Sequence, residues 1–503
     1  MVLRNPLNYI SQFFKKINNQ LKKIYLNSNY YDKKISKINS KDLIYKPSPH
    51  ILSSLIKYQK KKFNIDNFLT DNLWNNKNID NKDFRKLNNF YWFFSLDLKS
   101  SKKITQSIIS NWIKNNFSYT HQSWEFDLTS KRIIAWLSNH NLTCEESNID
   151  YQNLFNKMIK KQANHLMNEI NKSELVDDKI IGCAAIILVG LCFKDEKNYL
   201  SFGLNLLKKI QKSSLDNTGF PKSRSIKQLV FYLKYFIIIR EWFKEAQYPI
   251  PDQVNETIYY LGQGYAFVWE NIKLDILFNG NNNSNNSEFD NYLKRFGYKF
   301  KNENKEFGGY VVLQNKKLSL IMDVGPTPIT KFTNNYQSGA LSFEIISNGK
   351  KLISNCGIYE NKNLKLNKYS RSTATHCTLI IDDHSSCQFE RVNKSKFLVN
   401  DGLKIIKKKI VFEKNYWKIN ASHNGYLKRY NSIHEREVEF YPEQFKFVGT
   451  DKILNKKKNY NLKFEIRFHL EPGIKLMKTQ DNKTILIELN DEGWRFNCDD
   501  FDI

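Results

Sequence analysis

The chain has 503 residues, Lys+Arg 78 against Asp+Glu 51, and a formal net charge of +27 at pH 7; 41% of it is AVILMFWYC. That is enough apolar material for a large core, and it excludes a mostly disordered chain. The charge suits an anionic partner: nucleic acid, an anionic membrane surface or an acidic polysaccharide. Lys, Asn and Ile are over-used everywhere, however, and the basic runs are short and scattered, so the charge selects none of the three.

Met1 to Tyr31 is basic and amphipathic and lacks the continuous apolar region of a conventional signal peptide. Residues 1–45 therefore read as a basic N-terminal segment. From about Ile51 to Lys273 apolar residues recur at helical spacing. They predict helices at 85–98, 102–116, 128–140, 152–172, 178–193, 197–212, 225–246 and 252–270, with Pro221, Pro249 and Pro251 at boundaries. Ser100 and Ser101 stand where they can cap the second helix. Such a series of helices on short loops reads as an α/α toroid, an incomplete helical barrel, over 46–278. The apolar run Ile180 to Phe193 is too short to span a bilayer and suits a helix buried on all sides. The aromatic cluster Phe90 to Phe94, with Trp112, Trp124 and Trp136, either lines a sugar-stacking groove or forms the core. Helical spacing favours the core.

Asn279 to Ser287 is polar and turn-forming, and 279–295 reads as an Asn-rich linker or loop. Beyond it the period changes to two, in runs such as Tyr310 to Leu313, Leu318 to Met322, Leu341 to Ile346, Lys404 to Phe412 and Thr484 to Leu489. An antiparallel β-sandwich over 296–503 is expected, making an α+β multidomain chain. Seven Cys with no C-x-x-C pair exclude a disulfide framework and a structural zinc site. No phosphate-cradling glycine loop and no nucleic-acid fold signature is visible, so no nucleic-acid partner is expected.

Four segments are dense in chemistry: Asp323-Val-Gly-Pro326, Gln337-Ser-Gly-Ala-Leu-Ser-Phe-Glu344, Asn355-Cys-Gly-Ile-Tyr359 and Arg371-Ser-Thr-Ala-Thr-His-Cys-Thr-Leu379. Together they resemble the C-terminal domain of heparinase II/III family proteins, where H-x-D-x-L-S-F-E, D-x-G-x-Y and R-x-T-x-x-H-x-T follow in this order. Trp124 with Arg132 to Trp136, and Asp216 to Ser225, resemble the family's helical half. His423 to Tyr426, His434 to Arg436 and Arg467 to Pro472 resemble its later strands.

The resemblance implies β-elimination on a uronate-containing polysaccharide. Such a reaction needs a neutralised carboxylate, a base for the C5 proton and an acid for the departing oxygen. It also implies a sandwich metal held by two His and an Asp. Here His376 matches one ligand position, and the others fall on the neutral amides Gln337 and Asn355, so no metal is expected. The family's upstream histidine falls on Asn335 or nearby; its helical Asn/His position falls near Asp177 to Lys179, and its tyrosine near Lys227 or Gln228. The candidate catalytic residues are then His376 as base, Arg371 to bind the anion and Tyr369 as acid. Arg224, Tyr336, Gln337 and Asn355 are candidates for substrate binding. The structural alternative is that Arg224 holds a turn while Arg371 and His376 pin the 359–371 loop. His423, His434 and His469 read as structural.

Two functions follow: a carbon–oxygen lyase on an acidic polysaccharide, or a non-catalytic polysaccharide-binding or envelope-assembly protein. The resemblance places either in the periplasm or cell envelope, with the cytoplasm as the alternative. In an oxidising compartment Cys356 and Cys377 could approach one another; in a reducing one they remain thiols.

Overall fold

The computed structural model describes residues 6–37, 43–55, 74, 81–95, 102–193, 197–270, 272–282, 287–359, 364–392, 397–455, 462–480, 483–489 and 491–498. The chain divides into two compact units, residues 1–213 with 232–258, and residues 214–231 with 259–503.

The first unit is helical. It opens with α1 (Pro6–Leu26) and α2 (Asn29–Ile35) and continues through Lys102–Asn116, Phe126–Ser138, Ile149–Glu169, Val176–Cys192 and Lys197–Ser214. The later helices Ile226–Glu245 and Asp252–Tyr265 also follow the periodicity closely. Val176–Cys192 is buried on every side from Ile180 on, as its unbroken apolar run requires. Among the described residues no helix is long and apolar enough to cross a membrane.

The expected helix 85–98 is not continuous. Asn81–Asn88 is helical, Phe90 takes a left-handed φ of 58°, and Tyr91–Ser95 is a 3₁₀ turn. The Asn89 side chain caps the break by accepting from the Tyr91 N–H at 2.8 Å. The break seats Phe90 edge-on against Trp112 and Trp136. These rings, with Trp92, Phe93 and Trp124, are buried, so the cluster is core and lines no groove. Arg132 sits fully buried among them. Its guanidinium lies 3.9 Å from the Trp112 ring centre and donates to Gln162 Oε1, the Asn88 carbonyl and the Ser123 carbonyl. Ser100 and Ser101, the expected cap, lie outside the described residues.

The second unit contains the sheets. β1 (Glu306–Phe307), β2 (Tyr310–Gln314), β3 (Leu318–Asp323), β4 (Phe343–Ser347) and β5 (Lys350–Ile353) form an antiparallel meander in sequence order. β6 (Leu379–Ile381) pairs with the later strand β13 (Phe464–Ile466), and β7 (Gln388–Arg391) pairs with β8 (Phe397–Asp401). β9 (Ile405–Phe412), β10 (Trp417–His423), β11 (Ser432–Tyr441) and β12 (Lys446–Asn455) form a second antiparallel sheet, in the order β12-β11-β10-β9. β13 (Phe464–Ile466) precedes a three-stranded sheet of β14 (Lys475–Lys478), β15 (Thr484–Leu489) and β16 (Glu492–Asn497).

β11 alternates buried and half-buried along its whole length, the signature of a strand with one face on the core. β2 to β4 are buried on both faces instead. Leu320, Met322, Phe343, Trp417, Ile419, Val438 and Phe440 fill the core between the sheets. Fully burying a side chain of this size stabilises by roughly 1.5–3 kcal/mol. β4 starts at Phe343 rather than Leu341, because Leu341 turns left-handed (φ 61°) to donate its N–H to the Asp323 carbonyl. The segment read as a linker begins inside this unit: Asn279 and Asn281 are buried, and Ser287–Arg295 is a helix.

Candidate active site

All seven candidate residues lie in the second unit. Arg224 takes a left-handed φ of 59° at the end of the Asp216–Arg224 turn, which aims its side chain inward. Its guanidinium donates to the carbonyls of Gly308 (3.2 Å), Gly309 (3.0 Å) and Pro326 (3.1 Å) and to Asp323 Oδ1 (2.5 Å). It also lies 4.9 Å from the Tyr310 ring centre. Burial works against the charge, but Asp323 more than compensates and raises the guanidinium pKa. Gly309 and Gly325 make room for it: a Cβ on either would stand 2.7 Å and 2.3 Å from the Arg224 head group.

The other carboxylate oxygen of Asp323 accepts from Asn279 Nδ2 at 3.1 Å, and the same amide donates to the Tyr310 hydroxyl at 2.7 Å. The next residue, Gly280, gives its N–H to Gln337 Oε1 at 2.9 Å, and Gln337 Nε2 donates to the Ser370 carbonyl at 2.7 Å. Arg371 follows directly. Its three nitrogens donate to the carbonyls of Tyr336 (2.8 Å), Phe397 (2.9 Å) and Thr333 (2.6 Å), and its plane lies over Phe389. Burial lowers its pKa to about 10. Tyr336 is buried and its hydroxyl accepts from Thr327 Oγ1 at 3.3 Å. Arg224, Gln337, Arg371 and Tyr336 thus belong to one continuous buried network.

His376 and Asn355 form a second group beside it. Asn355 Oδ1 accepts from the Cys377 N–H at 2.9 Å, and the Asn355 N–H donates to Glu344 Oε1 at 2.9 Å. Glu344 also meets Lys351 at 3.1 Å; burial raises its pKa, and Lys351 opposes the rise. His376 Nδ1 lies 2.8 Å from the Ser372 carbonyl, which can only accept, so Nδ1 carries the proton. Burial lowers the imidazole pKa to about 4. Its Nε2 is then a buried lone pair for which the protein supplies no hydrogen-bond donor, and Asn355 Nδ2 is a buried donor with no acceptor. Gly339 faces the ring so closely that a Cβ would stand 2.4 Å from Cδ2. Tyr369 differs from all of these: it is 61% exposed, at the end of the short helix Leu364–Tyr369.

The donor set does not fit a divalent metal. Gln337 and Asn355 present amide oxygens that already accept backbone N–H groups, which leaves one imidazole lone pair. Among the described residues no group of three His, Cys, Asp or Glu stands close enough to hold one.

Residues 305–502 match the family model described as Heparinase II/III-like, C-terminal. That part of the chain is similar to the C-terminal domain of heparinase II/III-like proteins. Solved structures extend the likeness in fold to the helical half. A structure titled heparinase III shares 15% identity at a TM-score of 0.65, covering 91% of this chain and 79% of that one. A mutant of heparan sulfate lyase HepC from Pedobacter heparinus shares 14% at 0.64, covering 92% and 78%. A heparinase III gene product shares 17% at 0.62, covering 82% and 70%. No curated protein matches the sequence. The toroid-plus-sandwich class expected from the sequence is the fold this chain shares with those structures.

Sequence reasoning missed the residues that tie the candidates together: Asn279, Glu344 with Lys351, and the Ser370 and Ser372 carbonyls. A carboxylate inside the apolar run Leu341 to Ile346 was the one available signal for Glu344. In the helical unit Tyr232 stands against Asp177; burial first and Asp177 second hold its phenol well above the usual range. His423, His434 and Asp451 form a buried string. The Gly425 N–H donates to His423 Nδ1 (3.0 Å), His423 Nε2 meets His434 Nδ1 (3.3 Å), and His434 Nε2 meets Asp451 (2.6 Å), which Arg436 grips with two nitrogens. A cavity of about 170 Å³ opens between Ser386, Asp401, Asn424 and Lys428, and none of the seven candidates lines it.

Proposed function

We propose that the protein is a lyase that cleaves an acidic, uronate-containing polysaccharide by β-elimination. The observation that carries this reading is the state of His376: a neutral imidazole, protonated on Nδ1, whose Nε2 lone pair has no donor among the protein's own groups. That is the form a base must have, and the step requires the substrate to displace the cover that buries Nε2 in the free chain. In the step, Nε2 takes the C5 proton, the C4–O bond breaks as the C4–C5 double bond forms, and Tyr369 gives its phenol proton to the leaving oxygen. Arg371, Tyr336 and Gln337 hold the Tyr369–His376 segment in place, and Arg224 and Asn355 support the strands on which it rests. No step is routed through a metal. The heparinase II/III resemblance supports a location in the periplasm or cell envelope.

The second reading, a polysaccharide-binding or envelope-assembly protein without catalysis, is favoured by one specific observation. Arg224 and Arg371 have their donors committed to internal acceptors, so neither is left to grip a substrate carboxylate. Ultraviolet absorbance of the unsaturated uronate product, measured across a panel of acidic polysaccharides, separates the two. Absorbance that rises with one substrate, and falls at least a hundredfold in His376→Gln and Tyr369→Phe, supports the lyase. Retention on an immobilised glycan with no absorbance change from any substrate sinks it in favour of binding.

A further inference from the structure

The N-terminal helix carries its apolar stripe on the wrong side for a globular protein. In sequence, Ile10, Phe13, Ile17, Leu21 and Ile24 recur three or four residues apart, the spacing of one apolar helix face, and Ile17, Leu21 and Ile24 are its described members on α1. A surface helix ordinarily turns such an arc into the core. Here Leu21 is 58% exposed and Ile24 is 68% exposed, while Leu26, on the opposite side of the helix, is buried. Lys22 meets the buried carboxylate of Glu169 at 3.6 Å, so it is the polar side that docks. At Leu21 and Ile24 the apolar face looks outward, with Ile17 half-buried beside them.

The charge of this segment identifies what covers it. Before Asp32 the chain contains Arg4, Lys15, Lys16, Lys22 and Lys23 and no acidic residue. Apposing a second copy would bring two uniformly cationic helices together, which is unfavourable. An anionic bilayer offers both complements at once: acyl chains for the apolar arc and acidic headgroups for the lysines beside it. We propose that α1 lies in the plane of an anionic membrane surface and holds the protein there as a peripheral anchor, whichever reading of the polysaccharide site proves right.

The test is co-sedimentation of the full chain with vesicles. Phosphatidylglycerol–phosphatidylethanolamine vesicles should retain the protein, pure phosphatidylcholine should not, and salt should release it. Leu21→Asp with Ile24→Asp should weaken retention at least tenfold, with circular dichroism and thermal midpoint unchanged because both side chains are exposed. Lys16→Glu and Lys23→Glu should each cost roughly fivefold. Equal retention on both lipids, no retention on phosphatidylglycerol, or retention indifferent to the double substitution overturns the proposal. Dimerisation seen by light scattering, abolished by the same double substitution in a protein that ignores vesicles, overturns it too and assigns the face to a second copy.

Discussion

Replacing Arg224 by Ala removes the cation from a fully enclosed pair and strands four acceptors: the carbonyls of Gly308, Gly309 and Pro326, and one oxygen of Asp323. Asp323 keeps Asn279 Nδ2 and the Gly325 N–H (3.0 Å), so it is weakened rather than abandoned. Breaking a buried pair from one side costs about 3–5 kcal/mol, because the surviving charge stays out of water. The four lost bonds are not independent, so their sum is no better guide than that range. With a urea slope of about 3 kcal/mol per molar, the midpoint should fall by about 1–1.7 M. Hydrogen exchange of the 306–326 segment at increasing urea reads this unit without interference from the helical one. The partner test is Arg224→Met with Asp323→Leu, which removes both charges and should recover at least half the loss. A single-variant midpoint within about 0.3 M of the parent, roughly 1 kcal/mol on the same slope, would refute the reasoning. It would also return Arg224 to solvent-facing work such as binding substrate.

Acid should loosen the sandwich before it protonates most carboxylates. His376 is neutral when folded, with its pKa lowered to about 4, and ordinary when unfolded, near 6.5. Below pH 6.5 the unfolded chain binds the proton and the folded one does not, so stability falls with pH until about pH 4, by about 3 kcal/mol in all. His423 and His434 shift in the same direction, burial being the main cause in both. Thermal midpoints that stay flat from pH 7 to 5 would contradict this, and His376→Gln should remove its own share of the slope. Gly339→Ala pushes a methyl into the His376 ring and should cost about 1–3 kcal/mol. If the lyase reading holds, it should also depress turnover more than substrate affinity. An Ala variant with parental stability would mean that the ring can move aside.

Much of the helical unit was legible because its signals are local. The stretch 102–116 needs only its own apolar spacing, and Val176–Cys192 only its unbroken run. The break at Phe90 was not legible, since its cause is a slot between Trp112 and Trp136, rings that the sequence does not place. Strands with a strong run, β2, β3 and β9, could be read directly. β5, β7, β8, β12, β14 and β16 could not, because a strand such as β14 is exposed throughout and has no apolar face to announce it. At the candidate site the residue types were legible and their partners were not. Gly280 and Gln337 are joined across 57 residues by the Gly280 N–H, and Arg224 and Asp323 are separated by 99. A polar stretch that reads as a loop by composition is, at Asn279, an interior hydrogen-bond donor.

That residue has a chemical consequence of its own. Asn followed by Gly is the dipeptide most prone to spontaneous deamidation, in which the glycine nitrogen attacks the side-chain carbonyl and expels ammonia. In the folded protein the Gly280 N–H is held by Gln337, and the Asn279 amide is clamped between Tyr310 and Asp323. The ageing clock at this position is therefore stopped by the fold and runs only in molecules that have opened. Once it has run, a second carboxylate stands against Asp323 in a buried site, so a molecule that has aged while open refolds poorly and stays exposed to further damage.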